Sequence, residues 1–359
     1  MNAFTSPKAR TRGAGAAASS LALAVVLVVP ALAVAGTLPA TCAPGSVSAC
    51  DDGDPCTGGD HCSAGLCVGS PSVIPAACAW GVVDGGTGAR ARASAGSRST
   101  VVGAICGNAL RLQDASSVQG DIVSTASSGR GASFGAAAVV NGDIVTGGAA
   151  IRSSSPTVQL PGLAASLVPG GSMDWQADDP SCELDARGGN PLVDDCRDAI
   201  AGIPASARLL DSTAFRSGGD HGNVTVDAGT GLTLYATART NVVDFGTLDL
   251  GNSSTITLDG AGIPGVVFLV RVDRDFSVHF GSGIVLKGGA APERVIFYVR
   301  GRCRIGEFVS AAGTLFCPYD RITVGQHTYW EGALVAGGGR LDLGVYVQVN
   351  HAPLQVFVP

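Results

Sequence analysis

Ser117-Val-Gln-Gly-Asp-Ile-Val123 and Val139-Val-Asn-Gly-Asp-Ile-Val145 are two copies of one unit, set 22 residues apart. Each puts β-forming residues on both sides of a Gly-Asp pair, so the chain runs extended, bends sharply and runs extended again. A repeat of that length matches one turn of a β-solenoid, in which coils stack and equivalent positions align. Val101–Cys106, Leu110–Leu112 and Val158–Leu160 supply further rungs.

The pattern resumes after Gly222. Val224-Thr-Val226, Leu232-Thr-Leu-Tyr235, Thr247-Leu-Asp-Leu250 and Thr255-Ile-Thr-Leu258 alternate strictly. Val266–Val272, Phe276–Phe280, Ile284–Leu286, Val295–Val299, Gly313–Phe316, Glu331–Val335 and Val345–Val349 follow. Between the two blocks lies one helical segment, Leu192 to Pro204, with Asp194 and Asp195 at its start and Pro204 as its stop. Ala205–Leu210 adds a further turn. The expected fold is all-β: a right-handed β-solenoid with one short flanking α-helix and a small disulfide-rich N-terminal module.

Composition agrees with this class. The 359 residues include 52 glycines without a Gly-X-Y period, which excludes collagen and argues against a mainly helical chain. A hydrophobic share of 46% excludes a disordered acidic tail. The formal charge is −6, and three of the basic residues (Lys8, Arg10, Arg12) lie in an acid-free leader. Without that leader only Lys287 remains of the lysines, so nucleic acid is not an expected partner.

Residues 1–35 read as a secretory signal: the basic residues just named, the apolar run Leu21–Pro30, and an Ala33-Val34-Ala35 cleavage site. The apolar run is shorter than the roughly 20 residues of a spanning helix. Pro39-Ala40-Thr41-Cys42 lacks a lipobox, and no later stretch reaches spanning length. The expected destination is secretion or the cell surface, with no transmembrane segment in the mature chain.

In an exported chain, 11 cysteines read as disulfides rather than redox or zinc chemistry. The odd total leaves at least one thiol free or paired between molecules. The candidates are Cys50, Cys56, Cys62, Cys67, Cys182, Cys196, Cys303 and Cys317, with Cys182–Cys196 and Cys303–Cys317 favoured because each closes a short loop. The divisions follow: signal 1–35, cysteine-rich module 36–80, linker 81–100, short solenoid repeats 101–160, connector with helix 161–220, and main solenoid 221–359.

Three resemblances sharpen this reading. Cys50-Asp-Asp-Gly-Asp-Pro-Cys56-Thr with Asp60-His61-Cys62 and Gly65-Leu-Cys67-Val-Gly69 resembles a short cysteine-rich repeat of secreted and surface proteins. The Gly-Asp-Ile-Val units resemble the rungs of bactofilin-like polymers, which implies self-assembly. Gly265–Val270, Arg294–Gly301, Gly313–Pro318, Glu331–Val335 and His351-Ala-Pro353 look like the C-terminal half of choice-of-anchor A surface domains. They are also similar, less closely, to the DUF3494 ice-binding β-solenoid. Both families imply a right-handed β-helix with a helix alongside. Gly332-Ala-Leu-Val-Ala336 stands where the ice-binding pattern closes with G-R-x-L-A.

Residues suited to chemistry are few. Asp51, Asp52, Asp54 and Asp60 could offer oxygens to calcium, but their spacing is not that of an EF-hand and turn-forming aspartates account for them. No other cofactor is expected. His327, Tyr329 and Glu331 share one face if 326–331 is a strand, giving a candidate surface-binding patch beside an inward Trp330. Polysaccharide lyases share the β-helix fold and need clustered carboxylates with a basic residue. Asp273, Arg274 and Asp275 form the one such knot, and a strand-to-strand turn explains it. Thr225, Thr233, Thr247, Thr255 and Thr257 form no sustained ladder in the sequence.

The expectation is therefore a non-catalytic, exported structural or adhesive protein whose partner is polysaccharide, a cell-surface protein or itself. The alternatives are an ice-binding protein, a polysaccharide-binding or polysaccharide-degrading β-helix, and a bactofilin-like polymer.

Overall fold

A computed structural model describes residues 56–63, 66–86, 92–126, 130–142, 144–147, 150–153, 172–173, 191–212 and 221–356. The leader at 1–35, Asp51, Asp52, Asp54, Cys50, Cys182 and the rung at Val158–Leu160 lie outside these residues, as does the side chain of Asp60. Among the described residues, no helix is long and apolar enough to cross a membrane.

The body is a three-sided β-solenoid. Each coil gives one short strand to each of three sheets, which hold 11, 9 and 9 strands among the described residues. Asn223–Val226, Gly231–Tyr235 and Thr240–Phe245 form one coil, and Thr247–Leu250, Thr255–Asp259 and Val267–Val272 lie parallel beside them in the next. The three faces are named here by what lies outside them: the charged sheet (Asn223–Val226), the open sheet (Gly231–Tyr235) and the lidded sheet (Thr240–Phe245). Inward side chains such as Leu248, Ile256, Phe268, Phe276, Phe297 and Trp330 fill the core. The Trp330 indole N–H donates to the Gly313 carbonyl at 2.8 Å, so even this polar atom is satisfied inside.

The two near-identical segments are adjacent rungs. Ser117 and Val118 pair with Val139 and Val140, and Ile122 and Val123 pair with Ile144 and Val145. Their shared glycines are needed for close approach, since a Cβ on Gly142 would lie 2.4 Å from the Gly120 carbonyl group.

Residues 81–100 are not a linker. They carry strands Val82–Asp84 and Arg92–Ala95, which pair in parallel with Leu334–Ala336 and Arg340–Leu343. Thr100–Val102 likewise pairs with Gln348–Asn350. The early coils thus stack on the last coil of the later block, making one continuous column of coils. A strand reading failed at 81–100 because Gly, Ala and Arg dominate there and only the neighbouring coil completes the pairing.

Helix α1 (Pro75–Ala79) and helix α2 (Pro191–Ser212) cover the lidded sheet. Helix α2 buries Val193, Cys196, Ala199, Ile203, Ala207 and Leu210, one stripe along its length. Pro204 does not end this helix but lies inside it, on its exposed side. A proline in a helix interior costs about 3 kcal/mol, and burial of the stripe on both sides of it offsets that cost.

Under α2 runs a single column of outward side chains: Asp244, Arg271, Tyr298, Phe316, Val335, Val83, Cys106, Val123 and Val145. Its far part is apolar, and Cys106 is disulfide-bonded to Cys196 of α2. The expected Cys182–Cys196 bridge is therefore replaced by one of sequence separation 90. Cys303 and Cys317 are bonded, as are Cys56 and Cys78, while Cys62 and Cys67 each sit in a disulfide. The hairpin Thr57–Ser63/Leu66–Pro71 leads into α1, whose Ala77 carbonyl accepts from Leu354 N–H at 3.4 Å.

Candidate functional site

With the lidded sheet buried, two outer faces remain for contact, and they differ in chemistry. The charged sheet carries the column Thr225, Asp249, Ser277, Arg304, Thr323, Asp342, Ser94, Arg111, Ser133. Asp249 bonds His279 at 2.8 Å, and Arg340 pairs with Asp342. The expected knot Asp273-Arg274-Asp275 is the turn between two coils. Asp273 pairs with Arg300 at 2.9 Å, Asp275 with Arg302 at 3.6 Å, and Arg274 donates to Asn223. Every charge in it has a partner on a neighbouring coil.

The open sheet presents two columns of mostly short, uncharged side chains along its length and, in its first three coils, a third outward column of Tyr235, Asp259 and Lys287 at the edge next to the lidded sheet. The first runs Gly231, Thr255, Gly283, Ser310, Tyr329, Gln348, Thr100, Ser117, Val139. The second runs Thr233, Thr257, Val285 and, further on, Ala312, Glu331, Asn350, Val102, Gln119. Glu331 is the one charged residue in either of these two long columns. Strand spacing repeats the array every 4.7–4.9 Å along the axis, and alternate residues along a strand are about 6.6 Å apart. Side-chain bonds hold part of it: Asn350 Nδ2 donates to Tyr329 at 3.0 Å, and Ser117 Oγ to Thr100 Oγ1 at 3.2 Å.

Register sorts the threonines that looked scattered in the sequence. Thr233, Thr255 and Thr257 meet on the open sheet, whereas Thr225 and Thr247 lie on the charged one. Thr100, Ser117 and Ser310 join the open array. Each occupies the outward slot of a polar-aliphatic-x triplet, a signal visible in sequence once the coil length is known.

Of the expected patch, Tyr329 and Glu331 face outward together on strand Tyr329–Glu331. His327 does not share that strand. It occupies the turn from the charged to the open sheet with φ 56°, a left-handed conformation that the corner imposes. Phe308, Tyr346 and Arg98 hold the same conformation at the same corner. The His327 ring stacks between Phe308 and Tyr346, with centroids 4.7 Å away on each side, and Arg98 lies over Tyr346. Sequence reading missed this stack because its successive rings lie 19 residues apart, and Arg98 lies 248 from Tyr346, in unlike local contexts.

Three titratable groups are shifted chiefly by burial: Tyr298, which is raised, and two more. His351 is lowered by burial, and its Nε2 hydrogen-bonds the Ala77 carbonyl at 3.1 Å, a structural anchor for the C-terminal segment. Asp84 is fully buried, and its carboxyl is raised from 3.8 to about 6, chiefly by desolvation. One oxygen accepts from Gly86 N–H at 3.1 Å and the other has no hydrogen-bond partner. Folded protein therefore holds this proton more tightly than unfolded chain. Its contribution to stability is greatest below pH 4 and is lost as pH rises through about 6. Asp84→Asn keeps an acceptor for Gly86, so it should raise Tm at pH 7.5 and leave Tm at pH 3.5 little changed. Calorimetry at the two pH values checks this, and an equal shift at both would contradict it. Among the described residues, no group of three or more His, Cys, Asp or Glu side chains is placed to hold a metal.

The coils that build most of the open array lie in the later block. Residues 206–345 match the family model described as Ice-binding-like. The matched segment runs from the second half of α2 through the coils up to the strand Arg340–Leu343. The early coils, 82 to 153, stack on it from outside the matched segment. No curated protein matches the chain. Among solved structures, a glycosylated ice-binding protein from an Arctic yeast is similar at 14% identity and TM-score 0.44, covering 80% of this chain and 95% of its own. The DUF3494 domain of Shewanella frigidimarina ice-binding protein 1 is similar at 16% identity and TM-score 0.41, covering 78% and 96%. An ice-binding protein from the Antarctic ascomycete Antarctomyces psychrotrophicus gives 14% identity and TM-score 0.40, covering 79% and 97%.

Proposed function

We propose that the chain is an extracellular, non-catalytic ice-binding protein that adsorbs to ice through its open sheet. The observation that carries this is the open array itself, on a region matching the ice-binding-like family. An ice-adsorbing face must order water in register with a lattice, so it needs regular spacing and short side chains. Charged groups hold liquid hydration shells and work against it. The open sheet supplies rigid spacing in two directions through its ladder, with Thr, Ser, Gly, Ala, Val, Asn and Gln at most of the outward slots. The charged sheet has the same spacing and the wrong chemistry, and α2 seals the third face. The ice reading is preferred to the adhesive one because the two long columns of the array carry a single charged residue, Glu331, and are otherwise made mostly of short uncharged side chains.

Recrystallisation inhibition and thermal hysteresis of the purified protein test this. Thr257→Arg and Ala312→Arg, both on the open sheet, should each cut activity at least fivefold. Thr323→Arg, on the charged sheet, should leave it unchanged. Inactive parent protein, or equal losses from both faces, would sink the proposal.

A further inference from the structure

The corner between the open and lidded sheets changes character along the stack. In later coils it is a tight turn built on a single left-handed glycine: Gly313 with φ 115° and Gly332 with φ 138°. In the first three coils of the matched segment it expands into the loops 236–239, 260–266 and 288–294. These loops bring two arginines together. A Cβ built on Gly265 would lie 3.2 Å from Arg294 Nη1 and 3.5 Å from Arg239 Nη2, so both guanidiniums converge over this one residue. Gly265 has φ 64° and carries no side chain of its own, so the two guanidiniums can approach its backbone this closely.

Both arginines are held from behind. Asn241 is buried, and its Oδ1 accepts from Thr237 and Ala238 N–H at 2.9 and 3.2 Å, while its Nδ2 donates to Ala238 and Val267 carbonyls. The Arg239 carbonyl accepts from Val267 N–H at 2.7 Å. Arg294 closes the short 3-10 turn Pro292–Arg294. Arg300 and Arg302, also at coil corners, are each paired with a carboxylate. Neither the Arg239 nor the Arg294 guanidinium has an ion-pair or hydrogen-bond partner among the described residues. The nearby Asp259 carboxylate is committed to Ala261 N–H at 2.8 Å.

Two like charges brought together on loops fixed by buried hydrogen bonds, with no internal counter-charge, make a site for an anion. We infer that Arg239 and Arg294 form an oxyanion-binding site above Gly265, which takes the sulfate or carboxylate of an acidic polysaccharide. Guanidinium forks bind such groups through paired N–H donors, and two forks over one point can share a single oxyanion. The formal charge of −6 means that the protein as a whole repels polyanions, so retention must come from a local site. The site lies on the rim of the open sheet and leaves the array itself uncovered.

Calorimetric titration of the full mature chain with inorganic sulfate, a sulfated hexasaccharide and oligogalacturonate tests the inference. Saturable binding is expected, weakened at least tenfold in the double variant Arg239→Gln/Arg294→Gln. The control Arg304→Gln/Arg321→Gln removes the same charge from the charged sheet and should change affinity less than twofold. Arg239→Lys/Arg294→Lys keeps the charge but not the forks, and should recover only part of the loss. Tighter binding of an oligosaccharide than of inorganic sulfate assigns the ligand to a glycan, and equal affinity assigns it to the free ion. No saturable binding by the parent, or equal binding by the first double variant, overturns the site.

Discussion

Replacing the bridge between the sheet and its helix, Cys106→Ala/Cys196→Ala, should lower Tm by roughly 10 °C. The bridge closes a sequence separation of 90, and closure of a loop that long restricts the unfolded chain by about 4–5 kcal/mol. The effect has a location as well as a size. Cys196 lies one turn into α2, and the remaining hold on this helix is its apolar stripe and the contacts at its far end. Hydrogen exchange should therefore show lost protection across 191–212 before the coils respond, because the coils keep their own ladder bonds. A Tm within about 2 °C of the parent would mean that packing alone seats α2.

The second large effect concerns the opposite end of α2. Arg271 and Asp244 are register partners on the lidded sheet, with side chains only 2% and 5% exposed. Arg271 Nε and Nη2 donate to the two Asp244 oxygens at 2.6 and 2.7 Å, and Nη1 donates to the Leu210 carbonyl at 3.1 Å. The arginine thus satisfies both a buried carboxylate and a carbonyl in the last turn of the helix. Arg271→Met strands the carboxylate and should cost 3–5 kcal/mol in urea unfolding. Asp244→Leu/Arg271→Met removes both charges and should recover much of that loss. Equal destabilisation by the single and double variants would show that the Leu210 contact, not the pair, is what matters. Tyr298 and Tyr319 donate to Asp211 beside this pair, so the helix end is fastened by several polar contacts.

How far the sequence could be read depended on the distance over which each signal acts. The 22-residue repeat was legible because identical residues align one coil apart, and the ladder of Val118 on Val140 is that alignment made physical. Many strand positions after Gly222 were legible from alternation and apolar runs, but Thr240–Phe245, Cys303–Ile305, Ser310–Ala312, Ile322–Val324 and Arg340–Leu343 were not. The helix was legible at its start but not at its end, since Pro204 is tolerated only because the sheet holds the residues on either side. Cys106–Cys196 and the pairing of Arg92 with Arg340 could not be read, for no local pattern marks a partner so remote. For the candidate surface, sequence supplied Tyr329 and Glu331 but misplaced His327. Strand and turn residues look alike when every coil carries a tight corner. The threonine array stayed hidden until register put Thr233, Thr255 and Thr257 beside Thr100, Ser117 and Ser310.

The stacking of the early coils on the late ones also fixes an order of events at synthesis. Val82–Asp84, Arg92–Ala95 and Thr100–Val102 leave the ribosome well before Leu334–Ala336, Arg340–Leu343 and Gln348–Asn350, the strands that template them. Their outer edges can pair only after nearly all of the chain has emerged. Contacts this remote in sequence slow folding, and they leave strand edges exposed in the meantime. A nascent chain halted before residue 334 would leave those strand edges unpaired in the early block.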